Sequence, residues 1–329
     1  MLALRPSSLT LALVASLPLA LACSTDPEPT DTQADTGTDE VESSTDTATT
    51  TDDEASSSES ASDTSESTSE TTTDDTTSET TTDDTTTETT GSSDCAGECG
   101  TPNCGVCPES PVVEVPGGFT IGATEVRNGD YALFLDVVFE ADYLDGWLPS
   151  ECGWKNNFTP TDWSDNLPED LPVIQVDWCD AWAYCEWSGQ ELCGAIGGGP
   201  IDGEDINDPA LAQWHKACTG GGVAVYPYGV SYDPLACNGL DAGFEQLIQV
   251  GSLADCEGGY PGIFDMAGNV WEWENSCIPN PMVMPQSELC QQRGGSYFSD
   301  SLSMLCSADT PRARNFRNHN VGFRCCDTP

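Results

Sequence analysis

Hydrophobic and polar positions divide this chain sharply into three stretches. Leu9 to Leu21 is a short apolar run behind Arg5, too short to span a bilayer, and it ends Leu19-Ala20-Leu21-Ala22-Cys23. Residues 24–94 are almost entirely Thr, Ser, Asp and Glu, with no periodicity of apolar positions. From about residue 111 apolar periodicity returns. Phe119 to Val126 alternates weakly and predicts a strand, and Gly129 to Leu135 predicts a helix with Tyr131 and Phe134 on one side. Asp177 is placed to cap a helix ending before Gly189, in which Trp178, Ala181, Trp182 and Cys185 form an i, i+3, i+4, i+7 stripe. Asp208 followed by Pro209 predicts the start of a second helix, with Leu211, Trp214 and Cys218 on one face. Beyond residue 220 Gly, Pro and Asn are frequent, so little regular structure is expected there.

Composition adds the compartment. The net charge is -47 and Lys plus Arg number 9, a balance that repels nucleic acid and offers no basic patch to an anionic membrane surface. The 17 cysteines point to an oxidising environment. Small residues before Cys23 resemble a lipobox, which predicts a lipoprotein signal peptide over 1–22, acylation of Cys23 and a membrane partner through that lipid. An exported, membrane-anchored lipoprotein of the cell envelope or surface is the expected localisation. Residues 23–94 cannot bury enough apolar surface to offset their ordering entropy and are expected to form a disordered acidic tether. Residues 95–110 carry Cys95, Cys99, Cys104 and Cys107, readable as a zinc knuckle or as two disulfides, with disulfides favoured in an exported chain. They are expected to form a Cys-rich collar ahead of a domain over 111–329.

Seven ordered motifs in that domain carry a resemblance. They are Thr124-Glu125-Val126 with Asn128, Tyr131 and Phe134; Pro172-Val173 through Asp177-Trp178 to Tyr184-Cys185-Glu186-Trp187; and Gln213-Trp214-His215-Lys216-Ala217 with Gly220-Gly221. Tyr226-Pro227-Tyr228-Gly229, Gly262 to Trp273, Arg293-Gly294-Gly295-Ser296-Tyr297 and Gly322-Phe323-Arg324 complete the series. Together they resemble the formylglycine-generating, or sulfatase-modifying factor, family. Residues 193–208 read as an insertion between the two helices. The resemblance implies an α+β, C-type-lectin-like fold with little regular secondary structure, braced by disulfides.

Active members of that family are copper-dependent oxidases that convert a protein cysteine to formylglycine, using two cysteines just after Gly-Gly-Ser-[Trp/Tyr]. Here the corresponding positions are Ser299 and Met304, and neither supplies the thiolate that soft Cu(I) prefers. Iron-dependent relatives use a histidine cluster, whereas this chain has only His215 and His319. The expectation is therefore a non-catalytic binding or structural module, its recognition face between Tyr297 and His319, its ligand or protein partner unnamed. The alternative is an oxidoreductase of the formylglycine-generating type with a non-standard site. The resemblance also implies structural calcium at Asp265, Gly268, Val270 and Glu272, with Glu272 facing the ion and Trp271 and Trp273 turned into the core. A second calcium site would include Asn238 and Gly239. It implies disulfides Cys185–Cys325 and Cys218–Cys306 as well. Cys237 with Cys256 and Cys277 with Cys290 are plausible local pairs, and Cys152, Cys179, Cys193 and Cys326 stay open. Arg312, Arg314 and Arg317 offer either internal ion pairing or a pocket for an anion, Arg being a bidentate fork.

Overall fold

The computed structural model describes residues 94–329. The leader, Cys23 and the acidic tether lie outside the described residues. Strands β1 (Val112–Val115), β2 (Phe119–Gly122), β3 (Glu191–Leu192), β4 (Trp271–Ile278), β5 (Leu289–Arg293), β6 (Asp309–Ala313), β7 (Val321–Phe323) and β8 (Cys325–Asp327) alternate with four short helices. These are α1 (Asn128–Leu135), α2 (Ala141–Trp147), α3 (Trp178–Trp187) and α4 (Gln213–Thr219). The strands form two four-stranded sheets, ordered β1-β2-β8-β3 and β6-β5-β4-β7. All pairings are antiparallel except β4 with β7. This is an α+β fold in which loops carry much of the chain.

The helix at α3 starts where its cap predicts. Asp177 accepts a hydrogen bond from the Asp180 backbone N–H, and the Asp180 carboxylate accepts one from the Asp177 N–H, which satisfies two of the helix's free donors. Its buried surface is wider than one stripe, because sheet, α1 and disulfides surround it; Trp182 and Glu186 are the half-buried exceptions. Tyr131 of α1 stacks on Tyr184 of α3 at 5.4 Å, and Phe134, Trp187, Trp273 and Phe323 complete the main core.

Two predicted elements end or begin elsewhere. β2 stops at Gly122 and not at Val126, since Val126 leaves the sheet to bridge Phe323 and Val173 through its own N–H and C=O. Asp208 caps only a turn, its carboxylate accepting from the Ala210 N–H. The helix begins at Gln213, because the Gln213 backbone and side chain are both hydrogen-bonded to Gly194 of the insertion. α4 ends at Gly220 in the left-handed region, φ 62°, pressed against the backbone of Gly259.

All sixteen cysteines from Cys95 to Cys326 are paired. Cys185–Cys325 and Cys193–Cys326 tie α3 and β3 to neighbouring residues of β8, while Cys218–Cys306 ties α4 to the segment before β6. Cys152–Cys179, Cys237–Cys256 and Cys277–Cys290 close shorter loops. Cys95–Cys104 and Cys99–Cys107 staple the stretch before β1, leaving no thiolate there for zinc. That stretch is sewn to the end of α3: Trp187 Nε1 donates to the Cys104 carbonyl and the Cys99 N–H donates to the Trp187 carbonyl.

Candidate functional site

The segment following Gly294-Gly295 holds the positions where the resemblance would place paired thiols. Ser299 is buried, and its Oγ accepts the Ser296 N–H at 2.9 Å while its carbonyl accepts the Leu240 N–H. Met304 is 1% exposed and packs with Tyr226, Cys237, Cys256 and Ala267. Its sulfur lies over Gly239, where an added Cβ would sit only 2.1 Å from it. A turn and a core contact thus occupy both side chains. Cys306, two residues further on, is in its disulfide.

Beside this segment buried Tyr297 backs the exposed ring of Phe298. Tyr297 and Phe298 have ring centroids 4.0 Å apart, and exposed His319 meets Phe298 edge-on at 5.6 Å. His319 also borders a cavity of about 290 Å³ whose walls include Trp163, Leu171, Ile174, Gln175 and Leu247. His215 sits apart in α4, its Nδ1 3.0 Å from the Cys306 carbonyl, and burial pushes its pKa down.

The three candidate anion-binding arginines do not converge. Arg314 is buried, bonded to Glu288 at 2.8 Å and stacked on Trp178 at 4.7 Å. Arg317 joins Lys155 in neutralising Asp177 and Asp180 beneath the α3 cap. Arg312 is exposed over the Phe316 ring. Internal carboxylates claim two of the three, which is the ion-pairing alternative and not a shared pocket.

The calcium residues come together differently from the expectation. Glu272 is 1% exposed, and both its oxygens are held: Oε1 by Arg324 Nη2 at 2.6 Å, Oε2 by Arg324 Nε at 2.7 Å and by Trp214 Nε1 at 2.8 Å. Trp273 is in the core as expected, but Trp271 is only half-buried. Asp265, at φ 58°, accepts the Gly251 N–H on Oδ2 and leaves Oδ1 without a partner. Glu125, 2% exposed, accepts Asn269 Nδ2 on Oε1 and leaves Oε2 equally bare. Asn238 bonds Asn269 Oδ1 and the Gln246 carbonyl through Nδ2, its Oδ1 unpartnered, and Gly268 packs directly on the Asn238 backbone.

Burial pushes the Asp265 carboxyl up to about 6, against the pull of the Gly251 N–H and of Arg324. Burial and then the charge of Asp265 hold Glu125 well above its ordinary value. Three carboxylates therefore face one guanidinium in a dry place, and their bare atoms are hard oxygens. That chemistry fits a divalent cation. Among the described residues no three His, Cys, Asp or Glu side chains gather as a metal-binding group, so amide and backbone oxygens such as those of Asn238, Gly268 and Val270 would have to complete the coordination. Glu125 was missed by sequence reasoning. Its signal was a carboxylate between two buried positions, Ala123 and Val126, in a stretch that otherwise reads as strand.

An α+β domain with a closed-off thiol position and a buried oxygen-rich cluster is the class that fold and site define. Its family follows from comparison: residues 72–329 match the sulfatase-modifying factor enzyme 1-like domain, and the chain belongs to that family. It is 28% identical over 207 residues to a formylglycine-generating enzyme of Bos taurus, covering 54% of this chain and 50% of that protein. It is 30% identical over 175 residues to the inactive Cα-formylglycine-generating enzyme 2 of Mus musculus, covering 48% and 50%. The chain thus spans about half the length of these relatives. Among solved structures it is similar to PvdO from Pseudomonas aeruginosa, at 19% identity and a TM-score of 0.42, covering 64% of this chain and 80% of that one.

Proposed function

We propose that this chain is a non-catalytic binding module of the sulfatase-modifying factor family, exported and held at the cell envelope by a lipid on Cys23. The observation that carries the reading is the fate of positions 299 and 304. A hydroxyl closes a backbone turn and a thioether fills the space over Gly239, so the place has neither thiolates nor room for Cu(I). A mouse relative named as inactive is among the similar proteins, which supports the same reading.

The recognition face is the exposed aromatic pair Phe298 and His319, backed by buried Tyr297, with the adjoining cavity at Trp163 and Ile174, offered to a surface ligand or protein and not to nucleic acid. Calcium is the structural cofactor, bound by the bare oxygens of Asp265 and Glu125 and by backbone oxygens of the Gly268–Val270 turn, with Glu272 held in place by Arg324. Copper titration of the chain, followed by oxygen uptake on thiol peptides, tests the reading. No stoichiometric Cu(I) binding and no turnover are expected; stoichiometric binding with turnover would falsify it.

A further inference from the structure

Lys155, Asp177, Asp180 and Arg317 meet under the first turn of α3, and their arrangement does more than balance charge. The turn that carries Lys155 is tied to the helix by Cys152–Cys179, and the Lys155 N–H donates to the Cys152 carbonyl. The side chains of Lys155, Asp177 and Asp180 are only 3%, 2% and 0% exposed. Lys155 Nζ lies 5.2 Å from the centroid of the Trp154 ring and 5.8 Å from that of Phe158, so the amine is shielded from bulk water. An amine and a carboxyl held dry and in contact are the reactants of an amide.

The two oxygens of Asp180 are held differently. Oδ2 accepts the Asp177 backbone N–H at 2.8 Å and Arg317 Nη2 at 2.5 Å, whereas Oδ1 accepts from Lys155 Nζ alone. Two donors fixed on one oxygen polarise the carboxyl carbon and meet the charge that nucleophilic attack would place there. Oδ1, on the side of the amine, is free to leave. Asp177 Oδ2 completes the set. It accepts from Lys155 Nζ at 2.9 Å and from Arg317 Nε at 3.1 Å, so it stands where a proton must leave the nitrogen. Burial first, then the charge of Asp177, pushes the Asp180 carboxyl up to about 8, against the pull of Lys155 and Arg317. A protonated carboxyl is open to attack by an amine; a carboxylate is not.

We propose that Lys155 Nζ and Asp180 Cγ become joined by an intramolecular amide, which the folded chain forms unaided. The Lys155 ammonium gives one proton to Asp180 Oδ1, leaving a neutral amine beside a neutral acid. Nζ attacks Cγ, and the C=O electron pair moves onto Oδ2 between Arg317 and the Asp177 N–H. Asp177 takes a second proton from Nζ and passes it to Oδ1, the Cγ–Oδ1 bond breaks, and one water leaves. Nothing is oxidised or reduced, and no co-reactant enters. The product keeps the oxygen that closes the α3 cap. It also removes one cation and one anion together, so Asp177 and Arg317 remain as a matched pair. The Lys155–Asp180 ion pair is the precursor, and the amide holds residue 155 to α3 even when Cys152–Cys179 is reduced.

The test uses the full-length chain, reduced and alkylated in denaturant, digested with chymotrypsin or trypsin and read by tandem mass spectrometry. Chymotrypsin is expected to release peptide 155–158 joined to peptide 179–182, lighter than their sum by one water. Trypsin is expected to leave the chain uncut after Lys155. Lys155→Arg keeps the charge, and it should lose the joined peptide and be cut at that position. Asp177→Asn is expected to slow joining about a hundredfold, followed as the joined fraction with time after pulse-labelled synthesis. Complete tryptic cleavage after Lys155 in the parent chain, with peptide 155–158 released free, overturns the proposal. An amide at Asp177 in place of Asp180, or joining at the parent's rate in folded Asp177→Asn, overturns it equally.

Discussion

Cys185–Cys325 and Cys193–Cys326 give a test of how this fold is braced, because the two bridges close nearly the same loop. Their sequence separations are 140 and 133 residues, and each considered alone would constrain the unfolded chain by about 5 kcal/mol. They are not alone. With one intact, the other closes only the path from Cys185 to Cys193 and across the adjacent Cys325 and Cys326, a loop of about nine residues worth about 2.6 kcal/mol. With both gone, Cys218–Cys306 still shortens the path, so the larger of the two losses becomes about 4 kcal/mol. Replacing either pair by alanines should therefore destabilise the chain by about 2.6 kcal/mol, and replacing both by about 6.6 kcal/mol. The double replacement exceeds the sum of the single ones by about 1.4 kcal/mol, which a double-mutant cycle in guanidinium unfolding resolves. Strict additivity, or a single replacement that already removes about 5 kcal/mol, would refute the shared-loop reasoning.

Three further outcomes follow from other sites. Burial pushes the Glu274 carboxyl from 4.5 to about 7. Its contribution is whole below about pH 4.5, where folded and unfolded chains both hold the proton, and about 3 kcal/mol is lost as pH rises through 7. Glu274→Gln should flatten that part of the Tm–pH curve relative to the parent, and parallel curves would sink the assignment. Gly239→Ala sets a methyl 2.1 Å from the Met304 sulfur and should cost about 1–3 kcal/mol by overpacking, with Met304→Ala relieving part of it; fully additive losses would mean that the two side chains do not meet. Calcium at a hundredfold excess over its Kd should stabilise the chain by about 2.7 kcal/mol, an increment abolished by chelator and by Asp265→Asn, whereas a calcium-indifferent Tm in the parent would remove the metal from this cluster.

Much of the fold was legible in the sequence. The α3 cap at Asp177, the aromatic face of α1 and the ordered motifs from Thr124 to Arg324 are local or positional signals, and short-range geometry is what a sequence encodes most directly. The start of α4 was not legible. Asp208-Pro209 is a good helix opening by itself, but long-range bonds from Gln213 to Gly194 of the insertion displaced it. The same contrast divides the chemistry. The residue types at 299 and 304 sufficed to show that no thiol pair stands there. Only the packing of Met304 over Gly239 and the turn at Ser296 show how the place is filled.

The sequence alone determined which charges and sulfurs the chain possesses, because composition and order are written in it. The tertiary structure decided their partners. Arg314 and Arg317 lie three residues apart yet serve different carboxylates, and Glu272 gives its oxygens to Arg324 while Glu125, 140 residues before Asp265, leaves one bare beside it. Cys152 found Cys179 and Cys193 found Cys326 by the same rule. A buried charge or thiol pairs with whatever the fold carries to within a few ångströms, and that proximity is a property of the folded chain as a whole.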